Sequence, residues 1–107
     1  MENIGIIRTY YSDHTKLKVE YFQINGKKNG EYKQYYENGQ LKKIYNYNNG
    51  KLHGEYKHYH INGQIYHQCI YINNIKEGEE KQYGPNGRLD SICNYKNGRL
   101  ELWDCKW

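Results

Sequence analysis

Three stretches of this chain align without a gap at a spacing of 24 residues: GEYKQYYENGQLKKIYNYNNGKLH from Gly30, GEYKHYHINGQIYHQCIYINNIKE from Gly54 and GEEKQYGPNGRLDSICNYKNGRLE from Gly78. An internal repeat of this period builds an array in which each unit packs only on its neighbours. One 107-residue domain is therefore expected, with a degenerate copy over 6–29, full copies over 30–53, 54–77 and 78–101, and a terminal strand over 102–107. The backward register places Ile6 in the glycine column and Tyr11 beneath Tyr35. The forward register places Trp107 in the column of Tyr35, Tyr59 and Tyr83.

Each copy carries two turn signals. Asn38-Gly39, Asn62-Gly63 and Asn86-Gly87 mark one, and Asn49-Gly50, Asn73-Asn74 and Asn97-Gly98 mark the other. Gly39, Gly50, Gly63, Gly87 and Gly98 supply the positive φ that tight hairpin turns demand. The segments between them are short, rich in tyrosine and isoleucine, and without a helical apolar period. The expected fold is all-β, a single-layer antiparallel β-meander built from 24-residue hairpin repeats.

Side-chain parity constrains this meander further. A two-residue loop at Asn49-Gly50 sets Tyr47 opposite Leu52 and Tyr45 opposite Gly54, and a three-residue loop at Asn38-Gly39 sets Tyr35 opposite Leu41. Together the loops shift parity by one residue per copy, so the sheet exchanges its faces unless each repeat carries a bulge. Lys33-Gln34, Lys57-His58 and Lys81-Gln82 are the expected sites, which would bring Tyr32 and Tyr35 onto one face. Two-residue loops at both turns, with no bulge, would instead put Tyr35 and Tyr59 on the face opposite Tyr32 and Tyr56.

At these residues the repeat resembles the MORN repeat family, in its bacterial and viral variant, over roughly residues 5–107. The resemblance implies an elongated antiparallel sheet. It also implies protein-protein scaffolding, membrane or phosphoinositide association, or regulation beside an enzyme, and some bacterial members are labelled antitoxins. The third copy departs from the pattern, with Glu80 where Tyr32 and Tyr56 stand and Gly84-Pro85 before its turn, so the aromatic face should weaken there.

Only 36% of the chain is hydrophobic, yet 16% is aromatic, which predicts order without a deep interior. Because AT-rich codons alone enrich asparagine, isoleucine, lysine and tyrosine, it is tyrosine placement that carries information. Tyr32, Tyr35, Tyr45, Tyr47, Tyr56, Tyr59 and Tyr71 form a candidate partner-binding face, weighed against a role as the sheet's own packing. Trp103 and Trp107 are expected to cap the last strand.

Cys69, Cys93 and Cys105 are odd in number and lack CxxC spacing, so all three read as reduced packing residues in a cytoplasmic, reducing setting. Cys69 and Cys93 share a column two strands apart, about 9–10 Å by strand spacing, too far for a disulfide. Cys105 falls near Asp90 in this register. His53, His58, His60 and His67 cluster in the second copy, but no carboxylate or thiolate stands at ligand spacing, and no metal site is expected. Glu31, Glu55 and Glu79 offset the column of Lys33, Lys57 and Lys81 by cross-strand pairing on a solvated face, so nucleic acid is not an expected partner. No nucleophile-base set, phosphate loop or carboxylate dyad is present, and no apolar run is long enough to span a membrane. The expected function is a non-enzymatic, cofactor-free module presenting its aromatic face or an edge strand to a protein partner, a second copy of itself included. A peripheral binder of anionic lipid and an antitoxin-like inhibitor are the alternatives.

Overall fold

The computed structural model describes residues 3–106, with backbone alone over 102–105. Among these residues there is no helix, and ten strands form one antiparallel sheet. They are β1 (Ile4–Tyr10), β2 (Leu17–Ile24), β3 (Lys27–Tyr35), β4 (Leu41–Asn48), β5 (Lys51–Tyr59), β6 (Ile65–Ile72), β7 (Ile75–Lys76), β8 (Gly78–Tyr83), β9 (Leu89–Lys96) and β10 (Arg99–Lys106). Strand order follows chain order, with β7 and β8 both paired to β6. The molecule measures 47 × 35 × 14 Å. Of the described residues only Cys69 and Ser91 are buried, so the sheet has no closed core and its rows of side chains cover one another.

Both turn types form as the sequence predicts. Asn49 and Gly50 adopt φ of 51° and 86° and close a two-residue loop between Asn48 and Lys51. The three-residue loop 37–39 is closed by a hydrogen bond from Tyr36 N to Gln40 O, with Gly39 left-handed at φ 89°. The Asn38 side chain accepts from Gln40 N at 2.9 Å, locking that turn locally. Equivalent bonds recur at Asn62 and Asn86.

One single-residue bulge per repeat is present, but on the other strand of the hairpin. Gln34 pairs with Lys43 and Tyr35 with Leu41, which leaves Lys42 as the extra residue. Tyr66 and Asp90 are extra in the next two hairpins, and Lys18 in the first. Side-chain packing accounts for this choice. Lys18 lies over the Tyr11 ring and Lys42 over the Tyr36 ring, each at 5.6 Å, and the Tyr66 ring sits 4.8 Å from His60. The bulge thus aims each extra side chain at the first residue of its own turn. Because the bulge is not at Lys33-Gln34, Tyr35 stays on the face opposite Tyr32, and Tyr59 on the face opposite Tyr56.

A second irregularity falls on the glycine column. Tyr45 pairs with Tyr56 while Tyr47 pairs with Leu52, so Asn46 faces His53, Gly54 and Glu55 together. Gly54, at φ 107°, therefore does not lie opposite Tyr45; it lies opposite Tyr71 on β6, as Gly30 lies opposite Tyr47 and Gly78 opposite Tyr95. Two extra residues preserve parity, and the tyrosine row runs on unbroken.

The first hairpin is offset from the sequence alignment. Its turn holds one more residue, closed by Tyr11 N to Lys16 O, so Tyr11 occupies the place of Tyr36 rather than Tyr35. Gly5, not Ile6, then stands in the glycine column, opposite Gln23. At the other end Glu101 pairs with Asn94 but Lys106 pairs with Ile92. This slip leaves positions 102–105 together against position 93, with position 105 away from Asp90. Cys93 is disulfide-bonded, which corrects the expectation of three reduced cysteines, whereas Cys69 is free and buried. The side chain of Trp103, and Trp107 altogether, lie outside the described residues, and with them the expected cap.

Candidate binding face of stacked tyrosines

Antiparallel pairing places Tyr21, Tyr32, Tyr45 and Tyr56 side by side on four successive strands. Their rings stack with centroids 5.1, 4.8 and 4.9 Å apart and planes 16–18° from parallel. Tyr47 meets the edges of Tyr32 and Tyr45, and Tyr71 meets the edge of Tyr56. The Lys28 ammonium sits 5.2–5.4 Å from the rings of Tyr21, Tyr32 and Tyr47, a cation held over aromatic faces. Burial, and then the neighbouring phenols of Tyr32, Tyr47 and Tyr56, push the Tyr45 hydroxyl well above its ordinary value of 10.0. Of the seven tyrosines expected on one face, the structure brings together Tyr32, Tyr45, Tyr47, Tyr56 and Tyr71. It adds Tyr21, which stands 24 residues before Tyr45.

The row continues past Tyr56 as Cys69 and Glu80, and here the aromatic face weakens as expected. Glu80 Oε2 accepts hydrogen bonds from Lys76 Nζ and His67 Nε2, both at 2.6 Å. Burial opposes ionisation of Glu80, but these two donors outweigh it and hold the carboxyl below its usual range. Lys76 in turn lies 4.8 Å over the Tyr95 ring. His67, Cys69 and Glu80 present nitrogen, sulfur and oxygen atoms within 4.8 Å of one another. A thiol and a carboxylate thus stand at ligand distance from a histidine, contrary to the sequence expectation. Strand pairing made the juxtaposition, and chain spacing does not show it. Beside them His58 lies opposite His67, its pKa lowered to about 4 by burial and then by Lys43 and Lys42.

The opposite face is charged. Glu31, Glu55 and Glu79 pair with Lys33, Lys57 and Lys81 at 3.4, 3.4 and 3.7 Å along the same strand, not across strands as anticipated. Leu41, Ile44 and Tyr59 share a depression with Glu31, Glu55 and Lys57. Exposed pairs of this kind contribute little to stability, and here they mainly neutralise the lysine column.

Successive repeats are also tied at the turns. Tyr11 OH donates to Tyr35 O at 2.5 Å and Tyr36 OH to Tyr59 O at 2.6 Å, and His60 Nε2 lies 3.1 Å from Tyr83 O. Each tie runs from one hairpin to the next. Tyrosine followed by tyrosine at 35–36, then by histidine at 59–60, is the only sequence signal of them, and it carries no direction.

The MORN repeat variant matches residues 28–49, 52–73 and 76–97, each unit running from the strand after one two-residue turn into the next such turn. This chain belongs to that family. No match to the chain is found among curated proteins or among solved structures. The MORN repeats make it a repeat-based binding module, and repeats of this family are generally binding rather than catalytic elements.

Proposed function

We propose that this MORN sheet binds a protein partner on its tyrosine face, over the surface bounded by Lys28, Tyr45 and Tyr71. The observation that carries the reading is the ring stack from Tyr21 to Tyr56, which extends across four strands and, among the described residues, lies under no second layer. Rings fixed by their neighbours lose little entropy on contact, and each offers an apolar edge with a polar tip. The other face presents self-paired charges instead.

A photo-crosslinking amino acid placed at Lys43 or at Ile44 tests the face. Lys43 shares the tyrosine face and Ile44 the charged one. A discrete protein adduct from position 43 in host extract, competed by unmodified protein and absent from position 44, is the expected result. Equal capture from both positions, or capture from 44 alone, would refute it. Adducts joining two copies of this chain would make the partner a second copy. Salt-sensitive sedimentation with anionic vesicles, without protein adducts, would favour the lipid reading.

A further inference from the structure

We propose that His67, Cys69 and Glu80 form a binding site for one divalent transition-metal ion of the zinc class, which clips β6 to β8. Three observations converge on it. First, the donor atoms lie within 4.8 Å of one another, and the closest pair, His67 Nε2 and Glu80 Oε2, is 2.6 Å apart. Zinc bonds of about 2.0–2.3 Å in a tetrahedron require donors about 3.3–3.8 Å apart, so side-chain shifts of about 1 Å complete the geometry. The set of one sulfur, one nitrogen and one oxygen suits zinc or cobalt rather than calcium or magnesium.

Second, all three residues depart at a single place from those of the earlier copies. Histidine stands where the other copies have Val19, Lys43 and Ser91, cysteine replaces Tyr21 and Tyr45 and recurs as Cys93, and glutamate replaces Tyr32 and Tyr56. Three departures that are separate in the chain meet only when β6 and β8 pair. A packing requirement alone at positions 69 and 80 would be met by the tyrosines the earlier copies use.

Third, the site crosses the short seam between β6 and β8. β6 and β8 share two paired positions, His67 with Gln82 and Gln68 with Lys81, whereas β5 and β6 share six. His67 and Cys69 project from one side of that seam and Glu80 from the other. The surroundings suit an ion: the side chains of His67 and Glu80 are 17% and 12% exposed, and the Tyr56 ring packs edge-on against His67. On binding, the Cys69 thiol gives up its proton, the imidazole carries its remaining proton on Nδ1, and a water fills the fourth position. Lys76, which without the ion bonds the same Oε2, passes to the other carboxylate oxygen on binding and orients Glu80 from there.

Titrating cobalt(II) chloride into the full chain tests the site. The expected result is a thiolate-to-cobalt charge-transfer band that saturates at one equivalent and is displaced by zinc. Cys69→Ser should abolish the band. His67→Lys and Glu80→Tyr, which restore residues used by sister repeats, should keep the strand circular dichroism while weakening cobalt binding by about tenfold or more. Absence of the band at millimolar cobalt would overturn the proposal. So would a band of unchanged affinity in both column-restoring variants, which would assign the ion to other residues.

Discussion

Tyr32 and Tyr45 face each other across β3 and β4 with ring centroids 4.8 Å apart and planes 16° from parallel. Tyr45 is in turn stacked on Tyr56 and met edge-on by Tyr47, so it is an interior member of the ring row and loses three ring partners when truncated. Tyr45→Ala should destabilise the sheet by about 2–4 kcal/mol, from lost apolar burial and three ring contacts. Tyr59→Ala, on the charged face with no ring contact among the described residues, should cost clearly less. Urea unfolding of the two variants side by side checks this, and equal losses would mean that the stack does not hold the sheet.

Gly54 adopts φ 107°, and a Cβ built there would meet only Asn46 Cβ at 3.9 Å. Backbone strain, not crowding, is what a side chain would introduce. Gly54→Ala and Gly54→Val should therefore both destabilise, by about 1–3 kcal/mol, with the β-branched residue worse. Thermal melts that left the alanine variant unchanged would show the glycine bulge to be dispensable.

Alkaline pH should loosen the fold through Tyr45. Its pKa is raised in the folded state, so its contribution is fully present below the ordinary value of 10.0 and is lost as pH rises beyond it toward the folded value. Tyr45→Phe removes the ionisable hydroxyl and should flatten that decline. Unfolding free energies at pH 9, 10 and 11 for both proteins decide it, and parallel curves would place the alkaline sensitivity elsewhere.

The Tyr36 hydroxyl donates to Tyr59 O at 2.6 Å and ties one repeat to the next. Tyr36→Phe keeps the ring under Lys42 and removes only the bond, which should cost about 0.5–1.5 kcal/mol. Hydrogen exchange should quicken most near the turns at Gly39 and Gly63. Uniform acceleration across the sheet would show that the tie is not local.

Turn chemistry was readable from residues a few positions apart. Asn49-Gly50 and Asn38-Gly39 specify a two-residue and a three-residue loop, and these loop lengths require one bulge per copy. The residue that bulges is another matter, because Lys33-Gln34 and Lys42 restore parity equally well. Lys42 is extra because its side chain reaches Tyr36, a contact across the hairpin. Cys69 and Glu80 were likewise visible as departures from the tyrosines of the earlier copies, the cysteine recurring as Cys93, but eleven positions separate them in the chain and only the β6–β8 pairing sets them side by side.

The sequence by itself determined the antiparallel meander, its period, both turn types and the family, since a local repeat with glycine and asparagine at turns leaves the backbone few alternatives. The tertiary structure alone decided which tyrosines share a face, that Gly54 lies opposite Tyr71, that Cys93 is disulfide-bonded and that His67, Cys69 and Glu80 meet. The physical reason is that strand faces alternate residue by residue, so one bulge reassigns every side chain beyond it, and the position of that bulge is set by side-chain packing across the hairpin, as in Lys42 over Tyr36.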